Sequence, residues 1–342
     1  MRILFDAKEY IHFRPDNIRF GGSELILLNM ASALRDAGHE VGIIHRGDEA
    51  LRDGVYYYPE SKYPTHCDTM IAFETNFGLK EFSFERVFMV VNRLSPDVDV
   101  DTIKQVEKVI CVGDWANDRI PRVRPVTREQ MMTIAPGVNL SDYNGNGHKK
   151  VPNRLVYCSA SDRGLYHLME MWPLLKKKRP DVSLTITYNL SQDYERQKWA
   201  HNFDGLKFNE MKRWIELTDG VEDIGPCTRE ELINAQKEAQ IFPYPCDPPL
   251  YGSELFCISA LECAAAKCAL LLADQEALYS VYEGVAAYLP IPIDHAVWVE
   301  AICNLLRDKN GLRQYQNKGL EFAKKHTWER FGEQWRDLIA ST

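Results

Sequence analysis

Two carboxylates eight residues apart open the chemistry of this chain: Glu254 and Glu262, in Gly252-Ser-Glu-Leu-Phe-Cys-Ile-Ser-Ala-Leu-Glu262. On a continuous helix that spacing is about 12 Å of rise, a little over two turns. The neighbours of Glu262 are Ala260, Leu261, Cys263, Ala264, Ala265 and Ala266. A helix apolar nearly all round is buried, and a buried carboxylate without partners costs on the order of several kcal/mol. Two kinds of partner would satisfy Glu262. A vicinal diol, such as a ribose, offers two donors to one carboxylate. An Arg or Lys from elsewhere in the chain would serve as a salt bridge. The residues alone leave both open.

Glu254 follows the rigid loop Phe242-Pro-Tyr-Pro-Cys-Asp-Pro-Pro-Leu-Tyr-Gly252 and sits at a loop-to-helix junction. The N–H groups of Phe256, Cys257 and Ile258 are then the orphan donors of a first helical turn. Such donors form an anion site suited to a diphosphate. A second candidate is Phe20-Gly-Gly-Ser-Glu24, where Gly21 and Gly22 allow close approach of backbone to a ligand. The same residues also read as a capping box with Ser23 as N-cap. The third is Ser159-Ala-Ser-Asp-Arg163-Gly-Leu165. A guanidinium there can hold a diphosphate bidentately. A surface arginine is the alternative, but a positive helix end repels a cation unless an anion lies between them.

The elements that must position these residues alternate. Arg2–Asp6, Glu40–His45, Asp68–Glu74, Arg86–Asn92, Lys108–Gly113 and Met131–Ala135 read as strands, and Gly22–Gly38 as a helix with a Gly stop. After the polar patch Ser141–Asn153, a linker candidate, the alternation restarts. Arg154–Ala160, Ser183–Asn189, Gln240–Tyr244 and Cys268–Ala273 read as strands; Gly164–Lys178, Thr228–Ala239 and Leu255–Ala266 read as helices. Residues 190–220 read as a polar, helix-rich surface insertion, and two helical segments close the chain around Trp328 and Trp335. Alternation of this kind implies α/β architecture with parallel sheets. Two doubly wound domains would face a central cleft, with ligands beyond the carboxyl ends of the strands.

The 342 residues suit two domains. The net charge of −8 argues against a protein that grips phosphate backbones over its whole surface, so there is no strong nucleic-acid signature. The run Lys176-Lys-Lys-Arg179 reads as a solvated helix end. Nine scattered cysteines, with no CxxC pair, read as reduced thiols of a cytoplasmic protein rather than a disulfide framework or a zinc site. Met1–Asp6 turns polar too soon for a signal peptide. Leu255–Ala273 is apolar, but it carries Glu262 and Lys267 near its middle. Each charge costs about 3 kcal/mol at a bilayer centre, so a buried helix turning into a strand is expected and no transmembrane segment.

Together these pieces resemble the retaining, GT-B-fold glycosyltransferases of family 4 (glycosyl transferases group 1). The family's E-x7-E element, with its run F-x-I-x-A-L-E-A-x-A, is similar to Phe256-Cys-Ile-Ser-Ala-Leu-Glu-Cys-Ala-Ala265 preceded by Glu254. Its G-G-x-E resembles Gly21-Gly22-Ser23-Glu24, and its basic K/R-G-L resembles Arg163-Gly164-Leu165. P-G-V-N before the linker is Pro136 to Asn139, and Trp328-Glu-Arg-Phe331 resembles the closing helix that crosses back to the first domain.

The resemblance implies two Rossmann-like domains. Residues 1–148 would form an acceptor domain, with a helix at about 327–342 packing back on it; residues 149–326 would form the donor domain. It implies that Glu262 binds the donor ribose and Glu254 contacts sugar hydroxyls. Phe256, Cys257 and Ile258 would hold sugar and phosphate, and Arg163 would stabilise the leaving diphosphate. Gly21, Gly22 and Ser23 would lie across the phosphates, and Ile224, in Val221-Glu-Asp-Ile-Gly225, would seat the base. Glu254 and Arg163 are the catalytic candidates. The implied reaction is transfer of a sugar from a nucleoside diphosphate, UDP or GDP first, to an acceptor hydroxyl, with retention and with no obligatory metal or other cofactor. Two departures stand out. Where many relatives carry a His, this chain has Asn92 and Arg93, the acceptor-side candidates. Relatives often have a second basic donor residue, and Arg154 falls too early to supply it. A transferase acting on a modified DNA base, and a non-catalytic donor-binding partner subunit, are the rival readings. The acceptor is unidentified, and an oligomer is left open.

Overall fold

The computed structural model describes residues 1–8, 21–94, 96, 98–144, 149–191, 194, 205–247 and 254–341. The chain divides into two units, Met1–Gly137 with His326–Thr342, and Val138–Lys325. The change of unit at Gly137 comes ahead of the polar patch read as the linker. Of that patch, residues 145–148 lie outside the described residues.

The first unit runs β1 (Arg2–Asp6), α1 (Gly22–Asp36), β2 (Glu40–His45), β3 (Ala50–Arg52), β4 (Val55–Pro59), β5 (His66–Phe73), β6 (Ser83–Val91), β7 (Lys108–Cys111), α2 (Asp114–Val123) and β8 (Met131–Thr133). Its sheet has the order β3-β4-β2-β1-β5-β6-β7-β8. Every pairing is parallel except β3 with β4. Ile3, Leu4 and Phe5 are buried in succession, as are Met70 to Phe73 and Val87 to Val91. Continuous burial is what a parallel strand covered on both faces requires. Helix α1 supplies part of that cover through Ile26, Leu27, Met30, Ala31 and Leu34.

The second unit runs β9 (Arg154–Tyr157), α3 (Leu165–Lys178), β10 (Ser183–Ile186), α4 (Gly205–Leu217), β11 (Val221–Asp223), α5 (Arg229–Glu238), β12 (Ile241–Tyr244), α6 (Ile258–Ala265), β13 (Ala269–Ala273), α7 (Glu276–Tyr282), β14 (Ala287–Leu289), α8 (His295–Arg307) and α9 (Lys309–Ala323). Its sheet is parallel throughout, in the order β11-β10-β9-β12-β13-β14. The last helix, α10 (Trp328–Ala340), belongs to the first unit. There Trp335 is fully buried, and Gly332 lies so close to α1 that a Cβ would come 2.8 Å from the Ala33 Cβ.

Three expectations change. Strands β3, β4, β11 and β14 escaped the sequence reading, three of them having three residues each, too few for alternation to show. Residues 190–220 are not simply a surface insertion. Helix α4 buries Phe208, Met211 and Ile215 and lies between the parallel partners β10 and β11, where a crossover helix belongs; residues 192, 193 and 195–204 lie outside the described residues. The helix read as starting at Leu255 starts at Ile258, because Cys257 takes a left-handed conformation (φ 64°) ahead of it. No helix among the described residues is long and apolar enough to cross a membrane.

Candidate functional site

In the second unit, α6 carries Glu262 into the interior, 6% exposed. Its neighbours are all small or apolar, so partners must come from other elements. Arg229, the first residue of α5, places Nη1 2.6 Å from Glu262 Oε1. Gln236 Nε2, two turns along the same helix, donates to Oε2 at 3.2 Å. Tyr143 donates its hydroxyl to Gln236 Oε1 at 2.7 Å, and Asp142 Oδ2 lies 3.4 Å from Arg229 Nη2. Burial alone would lower the Arg229 pKa; Glu262, with Tyr143 and Asp142, outweighs it and holds the guanidinium above its ordinary value. Of the two partners open to Glu262, the fold therefore supplies the arginine. Burial of Glu262 by itself no longer demands a ligand.

Helix α5 is set in place by a capping box: Thr228 accepts from the Glu231 N–H, and Glu231 reaches back to the Thr228 N–H. That Thr-x-x-Glu signal was readable. The pairing of Arg229 with a residue 33 positions away was not, since nothing local marks it.

Glu254 lies ahead of α6 and is half-buried. Tyr244, at the end of β12, donates to Oε2 at 2.9 Å, and the Cys257 N–H donates to Oε1 at 3.1 Å. Tyr282 donates to the Cys257 carbonyl at 2.9 Å. These bonds hold Cys257 in a left-handed conformation that costs a non-glycine residue about 1–3 kcal/mol. One of the three amides expected to face an anion is thus spent on Glu254. Residues 248–253, including Gly252 of the motif, lie outside the described residues.

Arg163 stands in the short turn Ser161–Arg163 between β9 and α3. Burial opposes its charge, but the Glu254 carboxylate leads a set of groups that raise its pKa above the ordinary value. The turn depends on Gly164. Its φ is +103°, and a Cβ there would meet the Pro245 carbonyl oxygen at 2.2 Å. This glycine is required twice over, by conformation and by close approach. Ile224 follows β11 and donates its N–H to the Ile186 carbonyl at 2.9 Å.

In the first unit, Gly21 rather than Ser23 is the N-cap of α1, and no side chain caps it. The capping box is not formed; Ser23 Oγ instead accepts from Asn92 Nδ2 at 2.5 Å. Phe20 lies outside the described residues. Asn92 follows β6, and its N–H donates to Glu74 Oε1 at 2.7 Å. Arg93 Nε lies 2.9 Å from Glu74 Oε2. Glu74 was not singled out by sequence. It is 2% exposed, directly follows β5, and has φ 69°. The available signal was a charged residue closing an apolar strand.

No protein-family model and no curated protein matches the sequence. Solved structures match over the whole chain. Sucrose-phosphate synthase from Thermosynechococcus elongatus is 16% identical, with 100% of each chain covered and a TM-score of 0.73. A glycosyltransferase from Rickettsia africae ESF-5 is 13% identical, covering 100% of this chain and 99% of that one, with a TM-score of 0.71. Anabaena Alr3699/HepE in complex with UDP-glucose is 12% identical, with 100% of each chain covered and a TM-score of 0.71. Identities this low speak to fold and not to chemistry. The two α/β units described above, taken with these likenesses, are the double Rossmann-like architecture of the GT-B fold.

Proposed function

We propose that the chain is a retaining glycosyltransferase that moves a sugar from a nucleoside diphosphate, UDP first, to an acceptor hydroxyl, without an obligatory metal. The reading rests chiefly on one turn. There Glu254 is held by Tyr244 and Cys257, Arg163 lies within its field, and α6 begins immediately after. Charge builds on the departing diphosphate, and preorganised cations and amides are what stabilise it. Arg163 supplies the cation, and the first-turn N–H groups of Ile258 and Ser259 supply the helix end. Phe256 lines the same turn. Glu254, with one hydrogen bond on each oxygen, keeps lone pairs for sugar hydroxyls.

Glu262 takes the ribose in this reading. Arg229 and Gln236 each fill one lone-pair site, and a carboxylate has about four. The anchored carboxylate is thereby a preorganised acceptor. Ile224 seats the base. Gly21, Gly22 and Ser23 keep the phosphate role, and Asn92 and Arg93 the acceptor role, that the resemblance implies for them. The HepE complex with UDP-glucose shows that this fold accommodates such a donor, which supports UDP as the first nucleotide to try.

A second reading has one observation in its favour. The position expected to hold an imidazole holds Asn92, whose Nδ2 and N–H are both already bonded within the protein. A donor-binding subunit without transfer activity would tolerate that.

Thermal shifts with UDP-, GDP- and ADP-sugars test both. A donor at a hundred times its Kd adds about 2.7 kcal/mol of stability. Arg163→Ala should retain the fold and lose most of that shift. A chain that no nucleotide sugar stabilises is not a transferase of this kind. Stabilisation with neither donor hydrolysis nor transfer would select the second reading.

A further inference from the structure

A group of three side chains in the second unit has no part in the site above. His167 and Glu170 lie one turn apart on α3, at the i, i+3 spacing that puts them on one face. His295 is the first residue of α8, fixed there because Asp294 caps the helix by accepting from the Ala296 and Val297 N–H groups. His167 Nδ1 and His295 Nε2 are 3.2 Å apart. Glu170 Oε2 is 3.9 Å from the first and 3.6 Å from the second.

Four ligands placed tetrahedrally around Zn²⁺ at its usual bond lengths are about 3.3 Å from one another. The three atoms here span that value with little adjustment. We infer that His167, Glu170 and His295 form a divalent transition-metal site of the zinc class, in which the ion ties α3 to α8.

Two arguments support the assignment. Two imidazoles and one carboxylate are a donor set that suits zinc. The side chains are 31%, 32% and 34% exposed, so an ion can enter and a water can complete the shell. An N–H···N hydrogen bond between the rings would account for their 3.2 Å separation. It would not account for a carboxylate converging on both rings beyond hydrogen-bonding distance. Asp247 and Lys207 both act electrostatically on His167 from nearby, and Asp247 is a further carboxylate within reach of the ion's field. The ion is assigned to joining the helices, and sugar transfer is not routed through it.

The test is direct metal binding. Tag-free protein stripped by chelator is titrated with Co²⁺, then with Zn²⁺. One equivalent of Co²⁺ should bind with the visible absorption of a four- or five-coordinate ion, and Zn²⁺ should displace it. Added Zn²⁺ should raise Tm. Glu170→Gln preserves volume at a partly exposed position and removes a charged ligand, so it should weaken binding by more than the roughly 10- to 100-fold lost on disturbing a metal's supporting shell, with circular dichroism unchanged. His295→Ala should weaken it at least as much. Loss in either variant supports the site. Absence of stoichiometric binding in the parent chain, or binding unchanged in both variants, overturns it.

Discussion

Glu262 and Glu74 are both buried carboxylates that meet an arginine, yet they are built in opposite ways. Glu262 sits inside a regular helix, and two side chains, Arg229 and Gln236, come to it from a helix one strand away in sequence. Glu74 directly follows a strand in a left-handed conformation, and it serves the chain beside it through the Asn92 N–H and through Arg93. The first is a carboxylate that the fold was arranged to satisfy. The second is a carboxylate that bends its own backbone to satisfy the fold. A buried charge is therefore a signal of convergence, but it does not say whether a ligand or a neighbour completes it.

Substitutions can break that contrast. The largest effect is expected for Glu262→Ala, which strands Arg229 and Gln236. Loss of a buried partner costs about 3–5 kcal/mol, and the partial exposure of Arg229 should bring this to roughly 2–4 kcal/mol in urea unfolding. In a double-mutant cycle with Arg229→Ala the two should couple by about 1 kcal/mol or more. Simple additivity would dissolve the pair. Next comes Glu74→Ala, at about 1–3 kcal/mol, because the part-buried Asn92 amide loses its acceptor. Here the sharper comparison is Glu74→Gly. Glycine relieves the positive φ, so it should be more stable than the alanine variant by about 1 kcal/mol. Equal stability would mean that no strain is held at this position. The smallest effect belongs to Arg93→Ala. Its side chain is 46% exposed, and exposed ion pairs are worth about 0–1 kcal/mol.

Legibility in the sequence followed the range of the forces involved. Strand and helix order came from local periodicity, so β1, β2, β5, β6 and the second-unit strands β9, β10, β12 and β13 were readable. Short edge strands such as β3 were not, since three residues carry no period. The Gly stop of α1 and the capping of α5 by Thr228 were readable for the same local reason. The start of α6 was misread by three residues, because a left-handed cysteine depends on bonds from Glu254 and Tyr282 that only the folded chain supplies. At the candidate site, Glu262 was recognisable as needing a partner, but Arg229 could not be named. His167 and Glu170 formed a visible His-x-x-Glu pair, while His295 lay more than a hundred residues away with nothing to join it to them.

The return of α10 to the first unit has a consequence for how the chain can be taken apart. The polypeptide passes between the units at Gly137 and again at Lys325. A protease that nicks the chain once, between Lys149 and Lys150, leaves the second fragment still carrying α10, whose Gly332 face is seated on Ala33 of α1. The two fragments would stay associated and migrate together under native conditions. Releasing either unit takes a second cut beyond α9, and a first unit expressed without α10 would expose the α1 face that the helix covers.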